Sequence, residues 1–291
     1  MSSSLLRRDL LLGGSLAPAA FAQPTSLFDG QTLRGWHAKP RLPIPRFPGA
    51  KEPDRQSPGY IRAAGNTGRW AVESGAIVGG QEPAGSGIGA YLVSDEAFDD
   101  FELELEVRPD WPIDTGILVR TAPEGTPGFQ VLVDHRPSGC IGGYFGNGLA
   151  QIHAYPYALN GETDSHGKLT RLLPAETSER TNRIPLDFAA PVSTFLRAWK
   201  VNDWNRFRIR SVGALPTLTT WINGERISQL DVAKVKAENF DADAVLTRLG
   251  RAGHIALEVH NNDAEMGDNR WKPGAVCRWR NIRIQRLKHK V

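Results

Sequence analysis

The stretch FELELEVR at residues 101–108 decides the fold class, because its side chains alternate strictly between apolar and charged. Every second residue is apolar, and the residues between them are Glu102, Glu104, Glu106 and Arg108. A period of two is that of a β-strand with one face on a core and the other in solvent. We therefore expect a half-buried strand of an antiparallel sheet at 101–108.

Short strands are predicted along most of the chain. The sequence has apolar or alternating runs at 70–80, 115–120, 129–135, 204–212, 217–230, 253–260 and 277–287. Ser74-Gly75 and Asn223-Gly224 are expected to turn hairpins within two of these runs. Short strands at close spacing, without regularly interleaved helices, predict an all-β fold, an antiparallel β-sandwich.

Two stretches break this rhythm and are predicted to be long insertions. Residues 37–60 hold six prolines, and residues 154–200 are polar with one helix expected near their end. A second short helix is expected at 231–248. Loops of such length in a compact domain are frequently functional. We expect both insertions to lie over one sheet face.

The totals are those of an ordinary globular protein: 291 residues, 40% hydrophobic and 23% charged, with a formal charge of +3. This length suits one large β-sandwich. No Lys/Arg block resembles a nucleic-acid footprint, so nucleic acid is not expected as a partner. Cys140 and Cys277 leave open one disulfide or two buried thiols, and they are too few for a Cys-based zinc site.

The first 22 residues have the pattern of an export signal. Arg7 and Arg8 precede a short apolar run, and the stretch ends on A-F-A at 20–22. The paired arginines predict the twin-arginine route, and the apolar run is too short to span a bilayer, so no transmembrane segment is expected. We expect residues 1–22 to be removed and residues 23–291 to form one domain, periplasmic or secreted.

Strand parity predicts a shared polar surface. If the apolar parity of each strand faces the core, the other parity builds an outer sheet face. That face is expected to receive Glu106, Arg120, Gln130, Asp134, Glu258 and His260. A plainly solvated face would also be polar. The flanking insertions favour a cleft, and we expect the functional groups of Arg120, Glu258 and His260 within one pocket roughly 10 Å across.

Three further patterns bear on chemistry. Glu102, Glu104 and Glu106 repeat at roughly 6–7 Å along a strand, which is near glycosidase separations. Repeated glutamates on an edge strand are more often solvation, so a laminarinase-like acid pair is disfavoured. In QIHAYPY at 151–157, His153 and Tyr155 fit a sugar subsite, and a packed loop histidine fits equally. The run at 261–268 weakly resembles a calcium loop. No cofactor is required by the sequence, and a divalent metal such as calcium stays an alternative.

Several segments together resemble the 3-keto-disaccharide hydrolase family. They are LFDGQTLRGWH (27–37), WAVESGAIVGG (70–80), YLVSDEAFDDFELELEVR (91–108), TGILVR (115–120), GRAGHIALEVH (250–260) and CRWRNIRI (277–284). The resemblance spans Leu27 to Leu287. It implies a concanavalin A-like lectin/glucanase sandwich, or jelly roll.

The resemblance implies chemistry on a sugar already oxidised at carbon 3. A 3-keto group acidifies the neighbouring C2–H, so a base can remove that proton and the group on C1 can leave. Water then adds back. The expected activity is that of a hydrolase or lyase/hydratase on 3-keto-glycosides. Its substrate is a small carbohydrate, which implies a sugar 3-dehydrogenase acting upstream.

By the resemblance, His260, Arg120 and Glu106 match a histidine, an arginine and an acidic residue of the family's motifs. Glu258 stands where the family has Gln and Gln130 where it has Glu, so Glu258 is expected to compensate for an amide that cannot act as a base. The predicted catalytic residues are therefore His260, Glu258 and Arg120. The predicted substrate-binding residues are Glu106, Gln130, Asp134, His153 and Tyr155.

A non-catalytic, lectin-like carbohydrate-binding module is the alternative, since this sandwich also supports it. A lectin site needs aromatic platforms and polar donors, but no titratable base beside a cation. The set Arg120, Glu258 and His260 favours the enzyme. Glu258, sharing a face with His260, is expected to orient the imidazole and favour its protonated form.

Overall fold

The structure is a computed structural model that describes residues 23–150, 152–177, 184–263 and 266–288. Two antiparallel sheets enclose one hydrophobic core, and a separate hairpin packs beside them. The predicted export signal at 1–22 lies outside the described residues. Within the described ranges, no helix has the length and apolar character needed to cross a membrane.

The strands are numbered in chain order. The first sheet, sheet A, contains β1 (Thr25–Ser26), β3 (Arg69–Glu73), β4 (Ala76–Gly80), β6 (Phe101–Pro109), β13 (Phe188–Ala189), β14 (Asn205–Val212), β15 (Thr217–Ile222), β16 (Glu225–Asp231) and β18 (Cys277–Arg286). Its order is β13-β16-β15-β14-β6-β18-β4-β3, and β1 pairs with β18.

The second sheet, sheet B, contains β2 (Trp36–Pro40), β5 (Ala90–Phe98), β7 (Ile113–Thr121), β8 (Gly128–His135), β9 (Ile141–Asn147), β10 (His153–Ala154) and β17 (Gly253–Val259). Its order is β10-β9-β8-β7-β17-β5-β2, and the separate hairpin is β11 (Ala158–Thr163) with β12 (Leu169–Ala175). The described helices are α1 (Pro58–Ala64), α2 (Val192–Ala198) and α3 (Ala242–Leu249). The predicted all-β sandwich is confirmed, with three short α-helices rather than one or two.

The alternation in β6 gives the predicted half-buried strand. Its apolar residues are buried against the core, while its glutamates point outward. β6 is a central strand between β14 and β18, so the expectation of an edge strand is wrong. The glutamates face arginines on both neighbours: Glu104 Oε2 lies 2.6 Å from Arg206 Nη2, and Glu106 Oε2 lies 2.6 Å from Arg280 Nε.

Both predicted hairpin turns are present. Ser74-Gly75 has φ values of 50° and 75°, and Asn223-Gly224 has 51° and 93°. These left-handed conformations match the twist of paired strands, and Asn and Gly adopt them at low cost.

The two insertions lie in different places, so the expectation of one shared face is met only in part. The first follows β2 and brings Arg41 over the outer face of sheet B. The second places β10 on the edge of sheet B, and β13 on the edge of sheet A. Phe195 of α2 is buried in the common core. The second insertion therefore closes one side of the sandwich.

Two smaller expectations also have outcomes. The helix expected at 231–248 is confined to α3, because the Asp241 side chain caps it by accepting from Asp243 N and Ala244 N at 3.0 Å each. Cys140 and Cys277 are both buried and free, so the alternative of two separate thiols holds.

A buried histidine in the core makes stability depend on pH. Burial lowers the pKa of His135 to about 4 from an ordinary 6.5. As pH falls, the unfolded chain takes up the proton before the folded chain does. The contribution of neutral His135 to the free energy of unfolding is therefore complete above pH 6.5 and is lost as pH falls towards 4. This contribution is about 3 kcal/mol.

We expect His135→Phe, which retains a ring between Trp111 and Trp199, to remove about 3 kcal/mol of the fall in unfolding free energy between pH 7 and pH 4. Denaturant titrations at both pH values measure this difference. The matched control is His166→Phe at an exposed loop histidine, which leaves His135 and its burial unchanged. Equal pH dependence in wild type and His135→Phe would contradict the prediction.

Candidate active site

The outer face of sheet B carries a buried cluster of charged and polar side chains. Asp114 of β7, Gln130 and Asp134 of β8, and Glu258 of β17 are all less than 5% exposed. Parity placed Gln130, Asp134 and Glu258 on one outer face, and the structure confirms this. Buried charges are retained only where they are paired or hydrogen-bonded, so the partners of these groups define the site.

Glu258 lies at the bottom of the cluster and is fully buried. Its Oε1 accepts from Arg41 Nε at 2.8 Å and its Oε2 accepts from Gln130 Nε2 at 2.5 Å. Burial raises the pKa of Glu258, and the neighbouring Arg41 opposes that rise. Arg41 and Gln130 thus occupy both carboxylate oxygens, and Arg41 also contacts His260. Glu258 therefore acts on His260 through Arg41.

The Glu258–Gln130 bond crosses the intervening strand β7 at Gly116. A Cβ at this position would collide with the Gln130 side chain, so only glycine lets the amide pass over β7. Gln130 Oε1 in turn accepts from Asn147 Nδ2 at 2.9 Å. Glu258 stands where the family has Gln, and Gln130 stands where it has Glu. These two side chains are thus hydrogen-bonded directly to each other.

His260 lies at the edge of the cluster with 15% of its side chain exposed. Arg41 Nη2 donates to its Nε2 at 3.1 Å, which requires Nε2 to be the unprotonated nitrogen. Nδ1 then donates to the Asn261 carbonyl oxygen at 2.6 Å. Burial, followed by the charges of Arg41 and Arg270, holds the pKa of His260 well below its usual range.

His260 is therefore neutral at neutral pH, and the expectation that Glu258 favours its protonated form is wrong. The reason is that Arg41 lies between the two side chains. It takes up the negative charge of Glu258 and presents its own positive charge to the imidazole.

Two further arginines neutralise the aspartates. Arg270 Nη1 donates to Asp114 Oδ2, and Arg270 Nε lies 2.8 Å from Asp263 Oδ2. Arg136 pairs with Asp134 through two of its nitrogens. Nε lies 2.7 Å from Oδ1, and Nη2 donates to Oδ2 at 3.0 Å. Burial and the nearby Asp114 raise the pKa of Asp134 well above its usual range.

The aromatic part of the predicted site flanks this cluster. Tyr155 is half-buried, and burial followed by the charge of Asp134 raises the pKa of its phenol. The His153 ring lies 5.8 Å from that of Tyr155 and 4.7 Å from that of Phe145. On the other side, the Tyr91 ring centroid lies 5.9 Å from the Arg41 guanidinium carbon.

Arg120 is not in this cluster, and its predicted place there is wrong. Its Nη atoms donate to four backbone carbonyls, those of Asp99, Gly213, Ala214 and Gly250. Leu118 pairs with Ala256 and Thr121 with His254, so Val119 and Arg120 together face Ile255. This β-bulge, with φ of 55° at Arg120, turns the side chain away from the outer face.

Glu106 is also elsewhere, because β6 belongs to sheet A. Besides Arg280, its carboxylate accepts from Asn281 Nδ2 at 2.9 Å. It lies on the outer face of the other sheet and does not join the residues around Glu258.

Sequence reasoning missed four members of the cluster: Arg41, Asp114, Arg136 and Arg270. Arg41 lies in a proline-rich stretch without periodicity, so no parity rule could place it. Asp114 has the parity of Gly116 and Leu118, and extending that strand by one residue towards its start would have found it.

No group of three or more His, Cys, Asp and Glu side chains in the described ranges is arranged to hold a metal ion. In the segment weakly resembling a calcium loop, Asp263 is paired with Arg270. Glu265 lies outside the described residues. In this segment, the carboxylate of Asp263 is thus already bound by the guanidinium group of Arg270.

The arrangement has a definite chemical capacity. Two guanidinium groups, of Arg41 and Arg270, flank a neutral imidazole that is in part exposed. The cations can bind a carbonyl or enolate oxygen, and the imidazole can accept and return a proton.

A family model described as the 3-keto-α-glucoside-1,2-lyase-like domain matches residues 23–285. A Parabacteroides distasonis protein provisionally named a glycosyl hydrolase is 13% identical and has a TM-score of 0.44, over 91% of this chain and 94% of that one. A carbohydrate-binding module of Bacillus subtilis (10%, TM-score 0.39, 75% and 91%) and the Bacillus licheniformis β-glucanase (10%, 0.39, 88% and 94%) are also similar. A search of curated proteins gave no significant match.

Proposed function

Because the chain belongs to the family of 3-keto-α-glucoside-1,2-lyase-like domains, we propose that it cleaves 3-keto-glycosides at the outer face of sheet B. The reaction begins with removal of the C2 proton and ends with loss of the C1 group. One observation supports this most: a neutral histidine, His260, whose free nitrogen is held by a guanidinium group.

The first step exchanges a hydrogen bond. The 3-keto oxygen of the substrate replaces His260 Nε2 as the acceptor for Arg41 Nη2. This frees the Nε2 lone pair, which takes the C2 proton, while the C2–H electrons form a C2=C3 enolate. The same guanidinium stabilises the negative charge that develops on the substrate oxygen.

In the second step the enolate re-forms the ketone and expels the C1 oxygen. The imidazolium of His260 returns its proton to that leaving oxygen. A low pKa makes His260 a strong acid for this transfer, although a weaker base for the first. The product has a C1=C2 double bond, and addition of water across it completes a net hydrolysis.

Arg270 and Glu258 have supporting roles in this proposal. Arg270 adds a second positive charge next to the imidazole, and Asp114 and Asp263 hold it in place. Glu258 is a positioning residue, since it orients Arg41 without reaching the surface. Tyr155 and His153 offer ring faces on which a sugar can stack.

We also propose export by the twin-arginine signal at residues 1–22 and action in the periplasm or outside the cell. The proposed substrate already carries a ketone at C3, so an oxidoreductase that oxidises sugars at C3 must supply it. Glycosides without a ketone at C3 would become substrates only after that oxidation.

The test is incubation of the purified protein with p-nitrophenyl 3-keto-glucosides and with the parent glucosides. We expect p-nitrophenol release from the 3-keto compounds alone. In D2O, deuterium should appear at C2 of the recovered sugar, and C2-deuterated substrate should react more slowly. Parallel assays with chelator and with added calcium determine whether a metal is needed.

Cleavage of the parent glucosides at a similar rate would contradict the proposal, because no C2 acidification is then involved. Binding of glucosides or keto-glucosides without any cleavage would instead support the lectin-like alternative.

A further inference from the structure

A cleft lies at the end of the sandwich where β6 finishes, and none of its lining residues belongs to the Glu258 cluster. Its volume is about 550 Å³. Three segments build it: the chain leaving β6 at 108–111, the β11–β12 turn at 166–169, and residues 272–275 before β18. A backbone hydrogen bond, in which Lys272 N donates to Pro112 O at 3.1 Å, connects the third of these segments to the residue that follows the first.

The cleft is strongly basic. Its lining contains the cations Arg108, Lys168, Lys272 and Arg278 and the single carboxylate Asp110. With histidine left out of the count, as in the formal charge of the whole chain, these groups carry a net charge of +3. The chain as a whole also carries only +3, so the charge density here is far above the average. Focused charge of one sign in a concave surface attracts ligands of the opposite sign.

Most of these cations have no counter-ion within the described part of the chain. Asp110 is committed to Arg278, whose Nη1 lies 2.7 Å from Oδ1, and to Val276 N at 2.9 Å. Among the residues that the structure describes, Arg108, Lys168 and Lys272 form no ion pair with a carboxylate. The Arg108 guanidinium instead stacks 4.9 Å from the Trp204 ring centroid, and its buried Nε has no hydrogen-bond partner.

The size and the walls indicate more than an inorganic ion. Ligand pockets typically measure roughly 300–1,000 Å³. The cleft is within this range and has room for a ligand of several sugar rings. The half-buried Trp111 and the exposed Pro273 add apolar surface to the basic lining. Aromatic and apolar surface beside polar donors is suited to sugar rings, which have apolar faces and polar rims.

From this combination of charge, size and aromatic surface, we propose that the cleft binds an acidic oligosaccharide through its carboxylate or sulfate groups. Lys168 and Lys272 are the exposed cations that meet the acidic groups, and Trp111 lies against a sugar ring. Arg108 supplies the positive charge of the inner wall, where the charge of Arg278 is balanced by Asp110. This binding does not depend on the activity proposed for the Glu258 cluster.

Isothermal titration calorimetry tests the proposal with trigalacturonate, a sulfated trisaccharide and neutral cellotriose. We expect at least one acidic trisaccharide to bind at least about tenfold more tightly than cellotriose, a difference of about 1.4 kcal/mol. The tighter of the two identifies the preferred acidic group. Affinity should fall as salt rises, because ion pairing supplies much of it.

The decisive variant is Lys168→Glu with Lys272→Glu, and its matched control is Lys51→Glu with Lys236→Glu. All four lysines are exposed, and both pairs change the net charge equally. We expect the cleft pair to weaken acidic binding at least about tenfold, while the control pair retains near wild-type affinity. Thermal unfolding of both variants checks that each is folded.

Several outcomes would overturn the proposal. Equal weakening by both lysine pairs would mean attraction by overall charge alone. Equal affinity for cellotriose and the acidic sugars would remove the role of the cations. Inorganic sulfate or an oligothymidylate binding as tightly as the best acidic sugar would show that the cleft does not select carbohydrate.

Discussion

Replacing Arg41 by alanine is expected to lower kcat/KM for 3-keto-glucosides at least about 100-fold, and to lower the free energy of unfolding by about 3–5 kcal/mol. Arg41 holds the fully buried Glu258 at 2.8 Å and the His260 nitrogen at 3.1 Å. Its loss leaves a buried carboxylate unpaired and removes the proposed donor to the enolate. Steady-state kinetics and denaturant titration measure the two effects.

A double variant separates catalysis from stability. Arg41→Gln with Glu258→Gln removes both charges, so much of the lost stability should return while turnover stays low. The matched control is Arg280→Ala, which breaks the ion pair with Glu106 on the other sheet. It should leave kcat/KM near wild type. Recovery of turnover in the double variant would show that Arg41 acts only by compensating Glu258.

His260→Ala is expected to lower kcat by about 100-fold or more, the range of general acid–base catalysis. Its cost in stability should be small, about 1 kcal/mol, because the ring is at the edge of the cluster and makes two hydrogen bonds. The matched control is His254→Ala on β17, the strand that ends one residue before His260; the Nδ1 of His254 contacts the Ser94 carbonyl oxygen at 2.8 Å. Wild-type turnover in His260→Ala would exclude it as the base.

The pH profile gives an independent readout of the same group. A base must be neutral to act, and burial, followed by the charges of Arg41 and Arg270, lowers the pKa of His260. The acid limb of kcat/KM should therefore lie below 6.5. Arg41→Gln should move this limb upward, towards higher pH, in whatever activity remains. An acid limb above 6.5 in the wild type would contradict the assignment.

The sequence by itself determined the sandwich and part of the site, because strand period and turn chemistry are local properties. The alternation at 101–108 and the Asn223-Gly224 turn depend only on neighbouring residues. Parity likewise placed Gln130, Asp134 and Glu258 on an outward face, and the structure agrees.

Tertiary structure decided which outward face each residue joins, since a sandwich has two. Parity separates inside from outside, but long-range strand pairing assigned Glu106 to sheet A and Glu258 to sheet B. A bulge, created by the register between β7 and β17, turned Arg120 away. Arg41 reached Glu258 from 217 residues away in sequence, along a loop without periodicity. Only the folded chain buries His260 and brings that charge to it, and burial followed by the charge of Arg41 lowers the pKa of the imidazole.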